Sequence, residues 1–183
     1  MKRKAVVVVC LMALAVMSAM AGMKNPMVGG QEMYPTKNIV ENAVNSTDHT
    51  TLVAAVKAAG LVETLEGPGP FTVFAPTNEA FNKLPAGAVD TLLKPENKAT
   101  LTKVLTYHVV AGDMDAAALM KAIAAGGGKA TLKTVSGGTL TAMQSGSTIT
   151  VTDEKGGTAK VTIPDVKQSN GVIHVVDKVL LPG

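Results

Sequence analysis

Phe71-Thr72-Val73-Phe74-Ala75-Pro76-Thr77-Asn78-Glu79-Ala80-Phe81 is the stretch from which the fold is read. In an extended chain Phe71, Val73 and Ala75 share one face and Phe74 stands on the other. Apolar contact on both faces predicts a central strand. Pro76 ends it, because proline has no N–H to offer a ladder. Thr77 then suits a helix N-cap, Glu79 favours the positive end of that helix, and Phe81 and Leu84 face inward one turn apart. Ahead of the strand, Gly67-Pro68-Gly69-Pro70 stops whatever comes before it.

Working upstream, Leu52, Val56 and Ala59 recur at helical spacing. Asp48 is placed to cap that helix, and Gly60 followed by Leu61 suits a left-handed C-terminal cap. A shorter helix is predicted around Ile39–Val44, and His49 falls in the first turn of its successor, on the surface. Downstream, Val89, Leu92 and Leu93 form a short apolar pattern, and Pro95 opens a helix striped by Leu101, Val104 and Leu105. That helix runs into Tyr107-His108-Val109-Val110, where β-branched residues signal a strand. Asp113 is expected to cap a helix through Leu119 and Ile123, ended by Gly126-Gly127-Gly128.

The period then changes. Segments 129–135, 139–144, 148–152 and 158–163 alternate or are rich in Thr and Val, with glycine turns between them. Asn170-Gly171 is a strong hairpin signal and introduces the apolar run Val172–Leu181. Helices first and a β meander with a buried last strand afterwards make the fold class α+β.

The 183 residues carry 17 Lys plus Arg against 14 Asp plus Glu. Residues 1–21 hold Lys2, Arg3 and Lys4 and no acid, so 14 Lys face 14 carboxylates in the remainder. A basic start, the apolar run Ala5–Met17 and Ala19-Met20-Ala21 read as a removable signal peptide cleaved before Gly22. The run is shorter than the ~20 apolar residues of a spanning helix, so no permanent membrane anchor is expected after cleavage. The mature chain would have 162 residues and no Cys, which excludes disulfides, thiol nucleophiles and Cys-ligated metal. With no Arg and scattered Lys, nucleic-acid binding has no electrostatic footprint. Residues 22–37 read as an extended arm whose Met23, Met27 and Met33 fill gaps on the domain, leaving 38–183 as one domain.

Three stretches resemble the fasciclin domain family. Phe71–Phe81 resembles its first signature box, Gly171-Val172-Ile173-His174-Val175-Val176-Asp177-Lys178-Val179-Leu180-Leu181-Pro182 resembles the second, and Tyr107-His108 matches the dipeptide between them. The resemblance covers about Ile39–Pro182, and the arm is similar to that of secreted single-domain bacterial members. It implies a compact wedge, with N-terminal helices packed on a largely antiparallel β meander or sandwich. Phe71, Thr72, Phe74, Pro76, Thr77 and Phe81 in the first box, and Asn170, Gly171, His174 and Asp177 around the second, are then structural motif residues. In animal members the Tyr-His region is linked to integrin adhesion, so the resemblance marks Tyr107 and His108 as contact residues.

Read from the residues alone, His108 sits where an apolar helix meets a Val-rich strand, the setting of a buried imidazole bonded to backbone. His174, between Val172 and Val176, reads the same way. No spacing pairs either with a second catalytic group, and no HExxH, GxSxG, GxGxxG or P-loop motif occurs. Asp113 and Asp115 lack the oxygen count of a calcium loop, and Asp153-Glu154 is expected to be solvated in a hairpin turn. No cofactor, metal site or enzymatic reaction is expected. The expectation is a secreted or periplasmic, monomeric interaction domain for an extracellular or envelope protein or glycan. The alternative is a periplasmic carrier of a small hydrophobic ligand held between helices and sheet.

Overall fold

The computed structural model describes residues 25–183. The signal peptide expected over residues 1–21 and the start of the arm, with Met23, lie outside the described residues. The rest of the arm is no featureless extension: β1 (Met27–Val28) and β2 (Gln31–Glu32) form a small antiparallel hairpin. Met33 is buried and fills the gap expected of it, whereas Met27 is exposed.

Helices α1 (Ile39–Asn45), α2 (Thr50–Ala59) and α3 (Val62–Glu66) precede strand β3 (Phe71–Pro76). Then come α4 (Asn78–Asn82), α5 (Ala88–Leu92), α6 (Lys98–Tyr107), β4 (Val109–Ala111) and α7 (Ala116–Ala125). Five strands complete the chain: β5 (Lys129–Lys133), β6 (Thr139–Ser145), β7 (Thr148–Thr152), β8 (Thr158–Gln168) and β9 (Gly171–Val176). The fold is α+β with a largely antiparallel sheet.

Local chemistry explains the boundaries. Asn38 and Glu41 form a reciprocal capping box at the start of α1. Gly60 closes α2 in the left-handed conformation, and Thr77 Oγ1 accepts from the Ala80 N–H to cap α4. Asp48 does not cap α2. Its place is taken from a distance by Asn78, whose Oδ1 accepts from the Thr51 N–H at 3.0 Å while its Nδ2 donates to the Thr47 carbonyl at 2.9 Å. Asp113 is likewise not the cap of α7. The Met114 N–H donates to Thr72 Oγ1 at 2.9 Å, which holds 113–114 outside the helix and leaves Asp115 to accept from the Ala118 N–H at 2.8 Å.

The seven-stranded sheet runs β4-β3-β9-β8-β7-β6-β5. β9 does not end the meander at its edge. It enters between β8 and β3, parallel to β3, with Phe71 opposite Gly171 and Pro76 opposite Val176. Its run of consecutive buried residues suits a strand covered on both faces. The strand stops at Val176, and 177–183 continues without pairing, although Val179 and Leu180 stay buried. A bridge between Val110 and Thr134 joins the outer strands, so the sheet nearly closes on itself.

Two apolar cores result. Val73, Ala75, Ile173 and Val175 face α1, α2 and α6, while Phe74 and Val176 face the second core with α7 and β5–β8. The two-sided burial expected of Phe71–Ala75 is what places β3 between them.

Candidate functional site

Tyr107 and His108 sit where α6 gives way to β4, and the structure turns both inward, at 0% and 2% exposure. Their polar atoms are spent on backbone. His108 Nδ1 lies 2.8 Å from the Val104 carbonyl one helical turn back, so it carries the proton and donates. Nε2 is then a bare acceptor and receives the Leu180 N–H at 2.9 Å. The residue's own carbonyl accepts from the Phe74 N–H at 2.9 Å. The imidazole thus ties α6 to the C-terminal segment, and the backbone of the same residue adds the central strand. Burial pushes its pKa down to about 4, against the opposing pull of the Val104 carbonyl and the Asp153 charge.

Tyr107 does the equivalent on the other face. Its hydroxyl donates to the Thr139 carbonyl at 2.6 Å and accepts from the Glu154 N–H at 3.0 Å, tying together the turns before β6 and before β8. Burial raises its pKa, the Glu154 N–H acting in the other direction. Gly138 is required by close approach: a Cβ there would stand 2.7 Å from the Tyr107 ring. These positions correct the contact role that the resemblance gives Tyr107 and His108. Neither side chain can reach a partner, because burying each ring satisfies both core packing and backbone bonding.

Asp153 and Glu154 complete the knot, and Asp153 departs from the solvated turn position expected of it. It is 7% exposed. Its Oδ1 accepts from Gly157 and Lys155 N–H groups and its Oδ2 from the Leu181 N–H at 3.0 Å. Glu154 is exposed but accepts from Thr139 and Gly183 N–H groups, which hold its carboxyl below the usual range. A turn acid that caps its own loop is readable from sequence; its bond to the chain terminus is not.

The second-box residues are also structural. His174 is fully buried and stacks on Phe74 with centroids 5.6 Å apart. Its Nε2 donates to the Met114 carbonyl at 2.8 Å, and Nδ1 accepts from the Asp165 N–H at 3.3 Å. Burial lowers its pKa, opposed by the Met114 carbonyl and by Asp165, Asp115 and Asp113. Asn170 accepts from the Ile39 N–H at 3.1 Å and donates to the Leu65 carbonyl at 2.6 Å, pinning α1 and α3 to the turn before β9. Gly171 passes so close to Phe71 that a Cβ would overlap its carbonyl oxygen. Asp177 Oδ1 accepts from the Lys160 N–H at 2.8 Å. Thr72, besides holding Met114, donates to the Gly112 carbonyl at 2.6 Å.

His49 departs from its expected surface position: it is 3% exposed, with Nδ1 bonded to Ser46 Oγ at 2.9 Å. Burial lowers its pKa, the Ala75 carbonyl and Asp48 opposing. The three imidazoles do not converge on one site: His49 and His108 both border the apolar cavity of the first core, His108 with both ring nitrogens bonded to backbone, and His174 lies on the opposite side of β9. Among the described residues no group of three or more His, Cys, Asp or Glu is placed to hold a metal ion, and no helix is long and apolar enough to cross a membrane.

The comparisons with known proteins agree with this scaffold. A family model described as the fasciclin domain matches residues 47–182. Protein sll1483 of Synechocystis is 49% identical over 146 residues, covering 79% of this chain and 73% of that protein. Immunogenic protein MPB70 of Mycobacterium bovis is 37% identical over 145 residues, covering 76% of this chain and 66% of that one. The solved structure of a FAS1 domain pair from the insect cell adhesion molecule fasciclin I superposes with a TM-score of 0.71 at 18% identity, over 79% of this chain and 51% of that one.

Proposed function

The chain belongs to the fasciclin domain family, and from that premise we propose that it is an exported, non-catalytic interaction domain. It recognises a protein or glycan at the cell surface, matrix or host interface, as a monomer. The carrying observation is the use made of the motif side chains. Tyr107, His108, His174, Asn170 and Asp153 spend their polar atoms on backbone, leaving recognition to the surface they hold in place. Contact then falls to residues flanking the buried pair: Lys103, Glu154 and Lys155 are exposed there, and Val135 is an exposed apolar side chain at 46%.

Immobilised protein should retain a saturable partner from envelope or host extracts. Val135→Asp should release it, while Met120→Asp, at a comparably exposed apolar side chain elsewhere, should not. Balanced charge outside residues 1–21 predicts weak salt dependence. Loss of retention with neither or both substitutions would reject the assignment of that surface.

An apolar cavity between helices and sheet supports a second reading, a carrier of a small hydrophobic ligand. Native mass spectrometry separates the two: a carrier shows added mass that is lost on denaturation.

A further inference from the structure

The cavity between the helical layer and the sheet has a volume of about 60 Å³. Met33 of the arm, Ala43 of α1, Leu52 and Val56 of α2, and Ile173 of β9 are among its walls. Almost all of that wall is carbon, so water gains little by entering. Ser46, Lys57, Thr64, Thr106 and His108 also border the cavity, but His49 carries the buried side-chain polar atom left without a partner among the described residues. Its Nδ1 is engaged by Ser46 Oγ, but its Nε2 is buried and has no hydrogen-bond partner among the described residues. The Ala75 carbonyl lies near enough to favour a charged ring but outside hydrogen-bonding geometry. A buried ring nitrogen without a partner has lost its water and received nothing in exchange.

We propose that this cavity is a binding site for a slender aliphatic molecule carrying one hydroxyl, the hydroxyl on His49 Nε2 and the alkyl part against Leu52, Val56 and Ile173. The inference rests on the ligand-carrier reading above and names its ligand class. The bond between His49 Nδ1 and Ser46 can run in either direction, which leaves Nε2 a donor in one tautomer and an acceptor in the other. A hydroxyl serves both. Lys57, exposed and bordering the cavity, would repel an ammonium, and a carboxylate placed on His49 Nε2 would bring a full charge against a wall that is almost all carbon, at far greater cost. Size selects against rings: a cavity of roughly 150 Å³ takes benzene, or about 25 Å³ per carbon. The space here therefore admits two or three heavy atoms as it stands, and the four of 1-propanol only once a wall moves. Met33 is the wall most able to move, its unbranched thioether adapting to irregular space.

The test uses the whole chain with xenon and the 1-alkanols from ethanol to hexanol as probes, read by titration calorimetry and by the nitrogen resonance of His49 Nε2. Expected is saturable binding of 1-propanol in about the millimolar range, as suits so few atoms, with a displaced Nε2 resonance. His49→Leu should weaken 1-propanol about fivefold to tenfold and leave xenon unchanged. Ala43→Leu, which fills the void, should abolish both, with thermal melts confirming that each variant is folded. The Nε2 displacement in the unsubstituted chain stands as evidence even where a variant fails to fold. Xenon binding without any effect of 1-propanol on Nε2 overturns the hydroxyl assignment and leaves an apolar carrier. Failure of both probes overturns the site itself.

Discussion

Acidification should loosen this protein in a window that belongs to histidine, with His108 the largest single contributor. Its folded pKa is held near 4 against an unperturbed 6.5. Between those values the unfolded chain takes up a proton that the folded chain refuses, so stability falls as pH falls. The full difference of about 2.5 pH units corresponds to about 3 kcal/mol, of which about 2 kcal/mol is lost between pH 8 and pH 5. Below about pH 4 both states carry the proton and the loss from this residue stops growing. His49 and His174 are lowered too and add in the same direction. The carboxyls of Asp115 and Glu154 are held below their usual range, and their contribution disappears only as they protonate at lower pH. Equilibrium urea unfolding at pH 8, 6.5, 5.5 and 5 measures the slope. His108→Gln is the control, because a side-chain carbonyl can still accept from the Leu180 N–H but cannot titrate in this range. It should flatten the slope by about 2 kcal/mol between pH 8 and pH 5. An unchanged slope in His108→Gln, or a His108 titration near pH 6.5 by NMR, would refute the account of the buried acceptor.

Three further outcomes follow from the same knot. Tyr107→Phe keeps the ring but orphans the Thr139 carbonyl and the Glu154 N–H, and should cost about 1–3 kcal/mol in chemical denaturation. Gly138→Ala drives a methyl into that ring and should cost about 1–3 kcal/mol by overpacking, an effect that Tyr107→Leu should partly relieve in a double-mutant cycle. Asn78→Ala removes the cap of α2 supplied from α4 and should cost about 1 kcal/mol, with early hydrogen-exchange opening confined to the start of α2.

What could be read from the sequence was whatever depends on neighbours in the chain. Thr77 and Gly60 act within one helical turn, and the two-sided apolar pattern of Phe71–Ala75 fixes burial whatever lies outside it. Helix starts were less secure, because tertiary contacts moved each cap away from the residue the local pattern favours. Asp113 and Asp115 both precede α7, and Thr72, some forty residues upstream, selects Asp115 by taking the Met114 N–H. Asp48 lost α2 to Asn78 for the same reason. The parallel insertion of β9 was foreshadowed by its consecutive apolar residues, yet the Asn-Gly turn before it also suits an ordinary hairpin, and the β8 side of β9 is one.

At the candidate site the contact role came from the resemblance, whereas the residues alone placed His108 where an apolar helix meets a Val-rich strand, the setting of a buried imidazole bonded to backbone, which is how the structure holds it. The identity of its partners was not legible locally. The distinguishing partner of His108 is the Leu180 N–H, at the far end of the chain, and Asp153 is bound to its neighbour Leu181. The domain therefore fastens residues 180–183 to the middle of its sequence through His108, Asp153 and Glu154, while Tyr107 holds the Glu154 turn in place. A site built this way cannot release Tyr107 or His108 to a partner without opening the C-terminal segment. On the proposed interaction reading, contact uses the exposed residues around the pair, and substituting the pair itself is expected to abolish binding only through loss of the scaffold.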